Sequence, residues 1–74
     1  NGNGKVRAAV CSLPWCPPFV LKQHVSDPNE NVVFAVLTNE NVPLDVVKLA
    51  REDKRGRVRY WADAVWHARK DMEK

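Results

Sequence analysis

The chain has few of the residues that build catalytic, metal and nucleotide sites. Its 74 residues include only two cysteines, two histidines and three glycines. No glycine-rich phosphate loop follows a strand-like segment, which excludes a nucleotide site of that type. No apolar run approaches the roughly 18–20 residues of a membrane span, and no charged-then-apolar signal segment opens the chain. We therefore expect no cofactor and no membrane partner.

The small size limits the architecture to one domain, residues 1–74. A chain of this length buries only roughly 60% of its unfolded surface, and one such core supplies about 3–5 kcal/mol. Hydrophobic residues make up 45% of the chain and charged residues 28%. This is the composition of a folded domain, not of a disordered tail, but it leaves no room for a deep cleft with a separate cofactor domain. Because the first residue is Asn1, we expect a processed chain or a piece of a longer protein.

The two cysteines, Cys11 and Cys16, lie five positions apart. A structural zinc site needs four ligands, and His24 and His67 are distant in sequence, so we predict no metal site. Two small buried thiols are the simplest interpretation, and a disulfide is the alternative if residues 13–15 form a tight turn. A cysteine paired with His24 would lack an orienting group and an oxyanion hole, so we predict no enzyme and a partly buried core histidine.

The most informative pattern is an internal repeat at an offset of 26 residues. Over 32 ungapped pairs, residues 5–36 against 31–62, eight pairs are identical. They are Val6/Val32, Ala9/Ala35, Val10/Val36, Pro17/Pro43, Val20/Val46, Lys22/Lys48, Asp27/Asp53 and Val32/Val58. Self-similarity at a period of 20–50 residues is typical of stacked-repeat architectures. The sequence predicts about two and a half repeats, spanning about 5–30, 31–56 and 57–74.

Each full repeat predicts two short helices separated by a breaker. The first helix follows from an apolar stretch, over 6–13 in one copy and 32–38 in the other. Proline at positions 17 and 43 suits the first turn of a helix, where its missing N–H has no partner anyway. The predicted second helices are 17–25 and 43–52.

The residue preferences of segment 32–36 do not decide between a strand and a helix. Residues 32–36 are rich in valine and would suit a buried strand. Their repeat equivalents, 6–10 and 58–62, have helical patterns, and repeats share a conformation. We therefore predict an all-α fold.

The third unit differs from the first two. No glycine or proline interrupts residues 57–74, which predicts one long helix. Its expected apolar stripe is Val58, Trp61, Val65, Ala68 and Met72. Arg59 and Asp63 fall on the opposite side, at the spacing of a helical ion pair. A terminal unit with a polar outer face is what a stacked array needs, so we predict a C-terminal capping helix.

Residues 17–32 resemble the repeat of the leucine-rich repeat variant family. That repeat reads approximately Pro-Pro-Glu-x-Leu-x-x-Leu-Ala-x-Asp-Pro, then a short gap, then Val-Arg-x-x-Val-Ala. Here Pro17-Pro18, Asp27-Pro28 and Val32 match it, and residues 35–45 are similar to the junction that follows. The resemblance covers roughly residues 5–62.

The resemblance implies a short right-handed solenoid of paired helices, related to HEAT and armadillo arrays. It implies no catalytic residues, and it implies a bacterial, cytoplasmic protein with reduced thiols. The chain departs from the family at His24, where leucine is usual, and at Cys16 and Val42, where a capping threonine is usual. Weaker caps of this kind cost about 1 kcal/mol each.

A basic cluster near the corner before the last helix is a candidate nucleic-acid surface. Paired-helix arrays can meet a phosphate backbone through lysine and arginine without reading bases. Charge runs usually face water, however, and the net charge of +3 is far below that of a dedicated nucleic-acid arm. The candidate residues are Arg51, Lys54, Arg55, Arg57, Arg59 and Tyr60. Tyr60 either stacks on a base or belongs to the core.

Two tryptophans are candidate anchors for a protein partner. Trp15, in the breaker loop, either packs on the neighbouring helix or binds a partner, because tryptophan is enriched at interface hot spots. Trp66, at the edge of the last apolar stripe, has the same two interpretations. Repeat arrays expose equivalent positions as one binding surface. We therefore predict a non-catalytic module for protein–protein interaction or scaffolding, with sequence-independent nucleic-acid binding as the alternative.

The number of repeats also bears on partners. Stacked arrays generally need at least three repeats, and this chain has just over two. We expect the array to be closed by the long last helix, continued in a longer protein, or completed in a homodimer.

Overall fold

The computed structural model describes residues 4–72, apart from the side chain of Met72, and is all-α over that range. The five helices are α1 (Gly4–Cys11), α2 (Pro18–His24), α3 (Glu30–Thr38), α4 (Leu44–Arg51) and α5 (Gly56–Met72). The helical prediction for residues 32–36 is confirmed, and no strand occurs in the described part of the chain. None of the helices in residues 4–72 is long and apolar enough to cross a membrane.

The helices recur at the offset of 26 residues that the sequence shows. The helices α3 and α5 begin at residues 30 and 56, and α2 and α4 begin at 18 and 44. The loop hydrogen bonds recur with them. The N–H of Cys16 donates to the carbonyl of Leu13 at 3.0 Å, and the N–H of Val42 donates to the carbonyl of Asn39 at 3.1 Å. Equivalent loops therefore have equivalent turns.

The second helix of each pair begins one residue later than predicted. Pro17 (φ −63°, ψ 145°) and Pro43 (φ −68°, ψ 151°) have extended backbones, so they are N-caps and not first-turn residues. Neither helix has a side-chain cap. The carbonyl groups of the two prolines accept the first helical hydrogen bonds, from Val20 and Val46.

The core lies around α3, which packs against α1, α2 and α5, while α4 packs on α5. Equivalent positions are buried in successive units. Leu21 of α2 and Val47 of α4 are fully buried, as are Val32 of α3 and Val58 of α5. Complete burial of one such aliphatic side chain stabilises the fold by roughly 1.5–3 kcal/mol.

The predicted stripe of α5 is partly wrong. Val58 is buried and Trp61 and Val65 are half-buried, as expected. Ala62 is the other fully buried position of this helix, whereas Ala68 is exposed and the side chain of Met72 lies outside the described part. Ala68 is exposed because it lies beyond the part of α5 that α3 covers: at about 1.5 Å per residue, the 17-residue α5 extends well past the nine-residue α3.

Candidate functional site

The loop between α1 and α2 is held in place by two asparagines from the following loop. Asn39 is buried, and its Nδ2 donates to the carbonyl groups of Cys11 at 2.7 Å and Leu13 at 2.9 Å. Its Oδ1 accepts the N–H of Asn41 at 2.8 Å. Asn41 Nδ2 in turn donates to the carbonyl of Pro14. These contacts satisfy the carbonyl of Cys11 at the end of α1 and two carbonyls of the loop itself, and they hold the residues on both sides of position 15.

Arg69 of α5 does the same for the loop that follows α3. Its guanidinium donates to the carbonyl groups of Val42 at 2.8 Å, Asn39 at 3.3 Å and Glu40 at 2.6 Å. No role was predicted for Arg69 from the sequence, and Asn39 was placed in the segment that resembles the family's junction without its hydrogen bonds being predicted. Their acceptors are backbone carbonyls 26 to 30 residues away, which no sequence motif marks.

The linkers after α2 and α4 are each fixed by an aspartate and an arginine. Arg7 Nε lies 2.8 Å and Nη2 lies 3.2 Å from the carboxylate of the buried Asp27. At the equivalent linker, Arg55 Nε and Nη2 each lie 3.0 Å from the oxygens of Asp53. Both carboxylates also accept a backbone N–H two residues ahead, which closes a turn in each linker.

The two aspartates are held in their ionised form. Burial by itself raises the pKa of Asp27, but the hydrogen bonds from Arg7 and the N–H of Asn29, together with the charge of Arg7, lower it by more, so the pKa lies below its ordinary value. The hydrogen bond from Arg55 lowers the pKa of Asp53 more than burial raises it. Hydrogen bonds to the charged form account for both directions.

Acid is therefore expected to weaken the fold. A carboxyl group whose folded pKa lies below its unfolded value of 3.8 contributes fully above that pH and loses its contribution as the pH falls through the folded pKa. We expect the free energy of unfolding to decrease by about 1.5–3 kcal/mol between about pH 5 and pH 2, the range for hydrogen bonds to charged groups. Urea unfolding followed by circular dichroism measures it.

Matched variants isolate the source of this acid sensitivity. Asp27→Asn should reduce the pH dependence to the part that Asp53 contributes, whereas Glu52→Gln, at an exposed position of the next linker, should leave it unchanged. A urea midpoint that does not move between about pH 5 and pH 2 would contradict the assignment.

The cysteines are two buried free thiols, as predicted, and no disulfide joins them. Burial, with the charges of Cys16 and Asp27 adding to it, raises the pKa of Cys11 to about 11. Burial also raises the pKa of Cys16. The reactive thiolate is disfavoured at both positions. The half-buried His24 ring is 3.9 Å from Asp27, and no group of three or more metal-binding side chains occurs among the described residues.

The arginines of the basic cluster have partners within the chain. Arg55 is held by Asp53, as described above, and Arg57 Nη1 lies 3.4 Å from a Glu30 oxygen. Arg59 Nη1 donates to the carbonyl groups of Asp53 and Lys54, each at 2.9 Å. Most of the cluster therefore stabilises the corner between α4 and α5.

The predicted ion pair between Arg59 and Asp63 does not form. Arg59 reaches back to the linker carbonyls, and Asp63 instead lies 3.2 Å from Arg51 and 3.4 Å from His67. The interpretation of Tyr60 as a core residue is also wrong, because 74% of it is exposed. Lys54 is exposed as well.

The tryptophans of α5 are part of the packing. The rings of Trp61 and Phe34 meet edge to face at 4.8 Å and 66°. The half-buried ring of Trp66 has the guanidinium of Arg51 at 4.8 Å and the ammonium of Lys70 at 5.1 Å, which are cation–π distances. Trp66 is therefore engaged by its own chain and is a poor candidate for a binding anchor.

Trp15, unlike the two tryptophans of α5, has its side chain in solvent. It is 72% exposed, and nearby Phe19, at the start of α2, is 66% exposed. The interpretation that Trp15 packs on the neighbouring helix is wrong. The repeat equivalents of these two residues are Asn41 and Asp45, so the first unit has aromatic residues where the second has polar ones. That contrast was the sequence signal for Phe19, which sequence reasoning missed.

Trp15 forms the candidate site, an exposed aromatic surface on a loop that hydrogen bonds hold in place. Comparison with protein-family models, curated proteins and solved structures found no match. The function therefore has to follow from the chemistry of this surface.

Proposed function

We propose that the chain is a non-catalytic helical-repeat module that binds or scaffolds a protein partner through Trp15. The exposure of Trp15, at 72%, is the observation that carries the proposal. Keeping an indole ring in water contributes nothing to folding, and tryptophan is the residue most enriched at interface hot spots. Asn39 and Asn41 hold the loop through hydrogen bonds to the carbonyls of residues 11, 13 and 14, so the anchor is presented with little conformational entropy left to lose.

The architecture proposed for this module is a short right-handed solenoid of about two and a half 26-residue repeats, closed by α5 as a capping helix. The recurrence of helix starts at 18 and 44 and at 30 and 56, and the position of α3 between α1 and α5, support it. Membership of the leucine-rich repeat variant family, with a bacterial and cytoplasmic setting, belongs to the same proposal. Two buried, free thiols suit a reducing compartment.

Trp15→Ala is expected to weaken partner binding at least about 30-fold, the effect of removing a hot spot worth about 2 kcal/mol or more. The helical circular dichroism signal and the urea midpoint should not change, because the side chain is exposed. The immobilised chain captures a partner from lysate, mass spectrometry identifies it, and calorimetry then gives the dissociation constant for each variant.

Tyr60→Ala is the matched control, since Tyr60 is equally exposed but lies on α5. It should bind the partner as the wild type does. Unfolding of Trp15→Ala would assign Trp15 to the core. Equal binding by Trp15→Ala and the wild type would show that the anchor lies elsewhere.

Sequence-independent nucleic-acid binding is the alternative, favoured by one observation. The side chain of Arg57 is 70% exposed, and Tyr60 lies close by on the same helix with its ring in water. A second observation opposes nucleic-acid binding. The shallow hollow of about 670 Å³ beside Lys54 and Arg55 is also lined by Glu52 and Asp53, whose carboxylates repel phosphate. The alternative therefore has weaker support than the protein-binding function.

A titration with mixed duplex DNA and RNA at two salt concentrations separates the two functions. Sub-micromolar affinity that collapses with salt and is lost in Arg57→Glu would favour nucleic acid. An absence of binding at low salt would eliminate it. Arg57 is the suitable position because Arg55 and Arg59 hold the linker itself.

A further inference from the structure

Helix α1 exposes apolar residues at positions that its counterparts bury. Val6 is 60% exposed, Val10 is 41% exposed, and Ala9 between them is also exposed. The equivalent residues of α3 are all buried, and those of α5 are buried or half-buried: Val32, Ala35 and Val36, and Val58, Trp61 and Ala62. The difference is that α3 and α5 each have a preceding helix of the same kind packed on them, namely α1 and α3.

Like Val6 and Val10, Trp15 lies at a position whose repeat equivalent contacts the preceding unit. Its equivalent, Asn41, donates a hydrogen bond to the carbonyl of Pro14 in the preceding unit. Position 15 therefore faces the side on which a preceding unit would lie. Val6, Ala9, Val10 and Trp15 together form what we name the α1 end surface.

The opposite end of the stack is polar. Phe34 of α3 packs on Trp61 of α5, and its neighbours Val33 and Leu37 are buried. The equivalent positions of α5 are all exposed: Arg59, Tyr60 and Asp63. A head-to-tail contact between two copies would take the charges of Arg59 and Asp63, with their partners, out of water and press them against valine side chains, which is unfavourable because the desolvation is not repaid. The α5 end is therefore not the complement of the α1 end surface.

We propose that the α1 end surface pairs with the same surface of a second copy of this chain, α1 against α1 about a two-fold axis. The proposal rests on the proposed protein-binding function and names one partner for it. A two-fold interface uses one self-complementary patch, and this patch is apolar on both sides. Lys5 is the one exposed charged residue of α1, because the carboxylate of Asp27 holds the half-buried Arg7. The small Ala9 allows the two helices to approach closely.

The size of the surface sets the strength of the dimer. Three small aliphatic side chains and one indole cover less than the roughly 800 Å² per partner of a standard interface. The dimer is therefore weak and reversible, and it assembles over micromolar to millimolar concentrations, the range of small interfaces.

Sedimentation equilibrium of the whole chain from about 10 μM to 1 mM tests this. The weight-average mass should rise from 8.4 kDa to twice that value and level off. Val10→Glu should stay at the monomer mass, because dimerisation would bury two carboxylates side by side. Phe19→Ala is the matched control and should dimerise as the wild type does, since Phe19 is exposed but is equivalent to Asp45, not to a stacking position.

Four results would overturn the dimer. They are a wild-type mass that stays at 8.4 kDa up to about 1 mM, a mass that passes the dimer without levelling off, equal dimerisation by Val10→Glu, and loss of dimerisation in Phe19→Ala. If Val10→Glu loses its helical signal, Val6→Glu takes its place, since Val6 is more exposed. A monomeric wild type would leave Trp15-dependent capture of another protein standing. If the wild type dimerises but Trp15→Ala still binds that other protein, the proposed function is wrong and the dimer stands.

Discussion

Leu21→Ala is expected to lower the free energy of unfolding by about 2–5 kcal/mol, the cost of truncating a buried leucine. Leu21 lies on α2 and is fully buried. A core of this size supplies only about 3–5 kcal/mol in total. The variant should therefore be largely unfolded at 25 °C, because the cavity removes most of the available stability.

Urea unfolding followed by circular dichroism at 222 nm measures the loss. Leu49→Ala is the matched control: the same chemical change on α4, where the leucine is 45% exposed. We expect it to cost well under 1 kcal/mol, as surface substitutions usually do. Similar losses from the two variants would mean that α2 does not pack on the core as described.

Asn39→Asp is the second substitution that we expect to lower the free energy of unfolding strongly. The substitution keeps an oxygen that accepts the N–H of Asn41 but removes the amide that donates to the carbonyl groups of Cys11 and Leu13. Each buried acceptor left without a donor costs about 1–3 kcal/mol, and a carboxylate facing two carbonyl oxygens adds repulsion. We expect most of the molecules to be unfolded or to have a disordered loop between α1 and α2.

Asn31→Asp provides a control with the opposite expected sign. Asn31 is exposed in the first turn of α3, where an added negative charge interacts favourably with the helix dipole. Its urea midpoint should stay the same or rise slightly, while that of Asn39→Asp falls. Equal effects at the two positions would show that the bonds across the loop contribute little.

The repeat allowed much of the fold to be predicted because packing is periodic. An offset of 26 residues placed the helix starts within one or two residues and paired Val32 with Val58, both fully buried. The prolines were misplaced by one position, because proline suits an extended N-cap as well as a first turn. Ala62 was missed because the spacing of three and four residues was followed from Val58 through Trp61 and Val65, whereas its repeat equivalent, the buried Val36, marks it as a core position.

The candidate site was less predictable, because exposure depends on what lies opposite a side chain. Trp15 and Trp66 are alike as sequence features, yet two cations contact one ring while the other lies in water. The sequence shows the density of basic residues near α5 but not that Arg55 and Arg59 bind the linker. Which partner each arginine binds depends on how the helices are arranged in three dimensions.

The stacking of 26-residue units is tested most directly by one nuclear Overhauser spectrum of the wild-type chain, recorded with its backbone chemical shifts. We predict helical chemical shifts over 30–38 and cross-peaks between the rings of Phe34 and Trp61. We also predict cross-peaks from the side-chain amide protons of Asn39 to Leu13. Strand-type shifts over residues 32–36, or intact helices without the Phe34–Trp61 cross-peaks, would contradict the stacked arrangement.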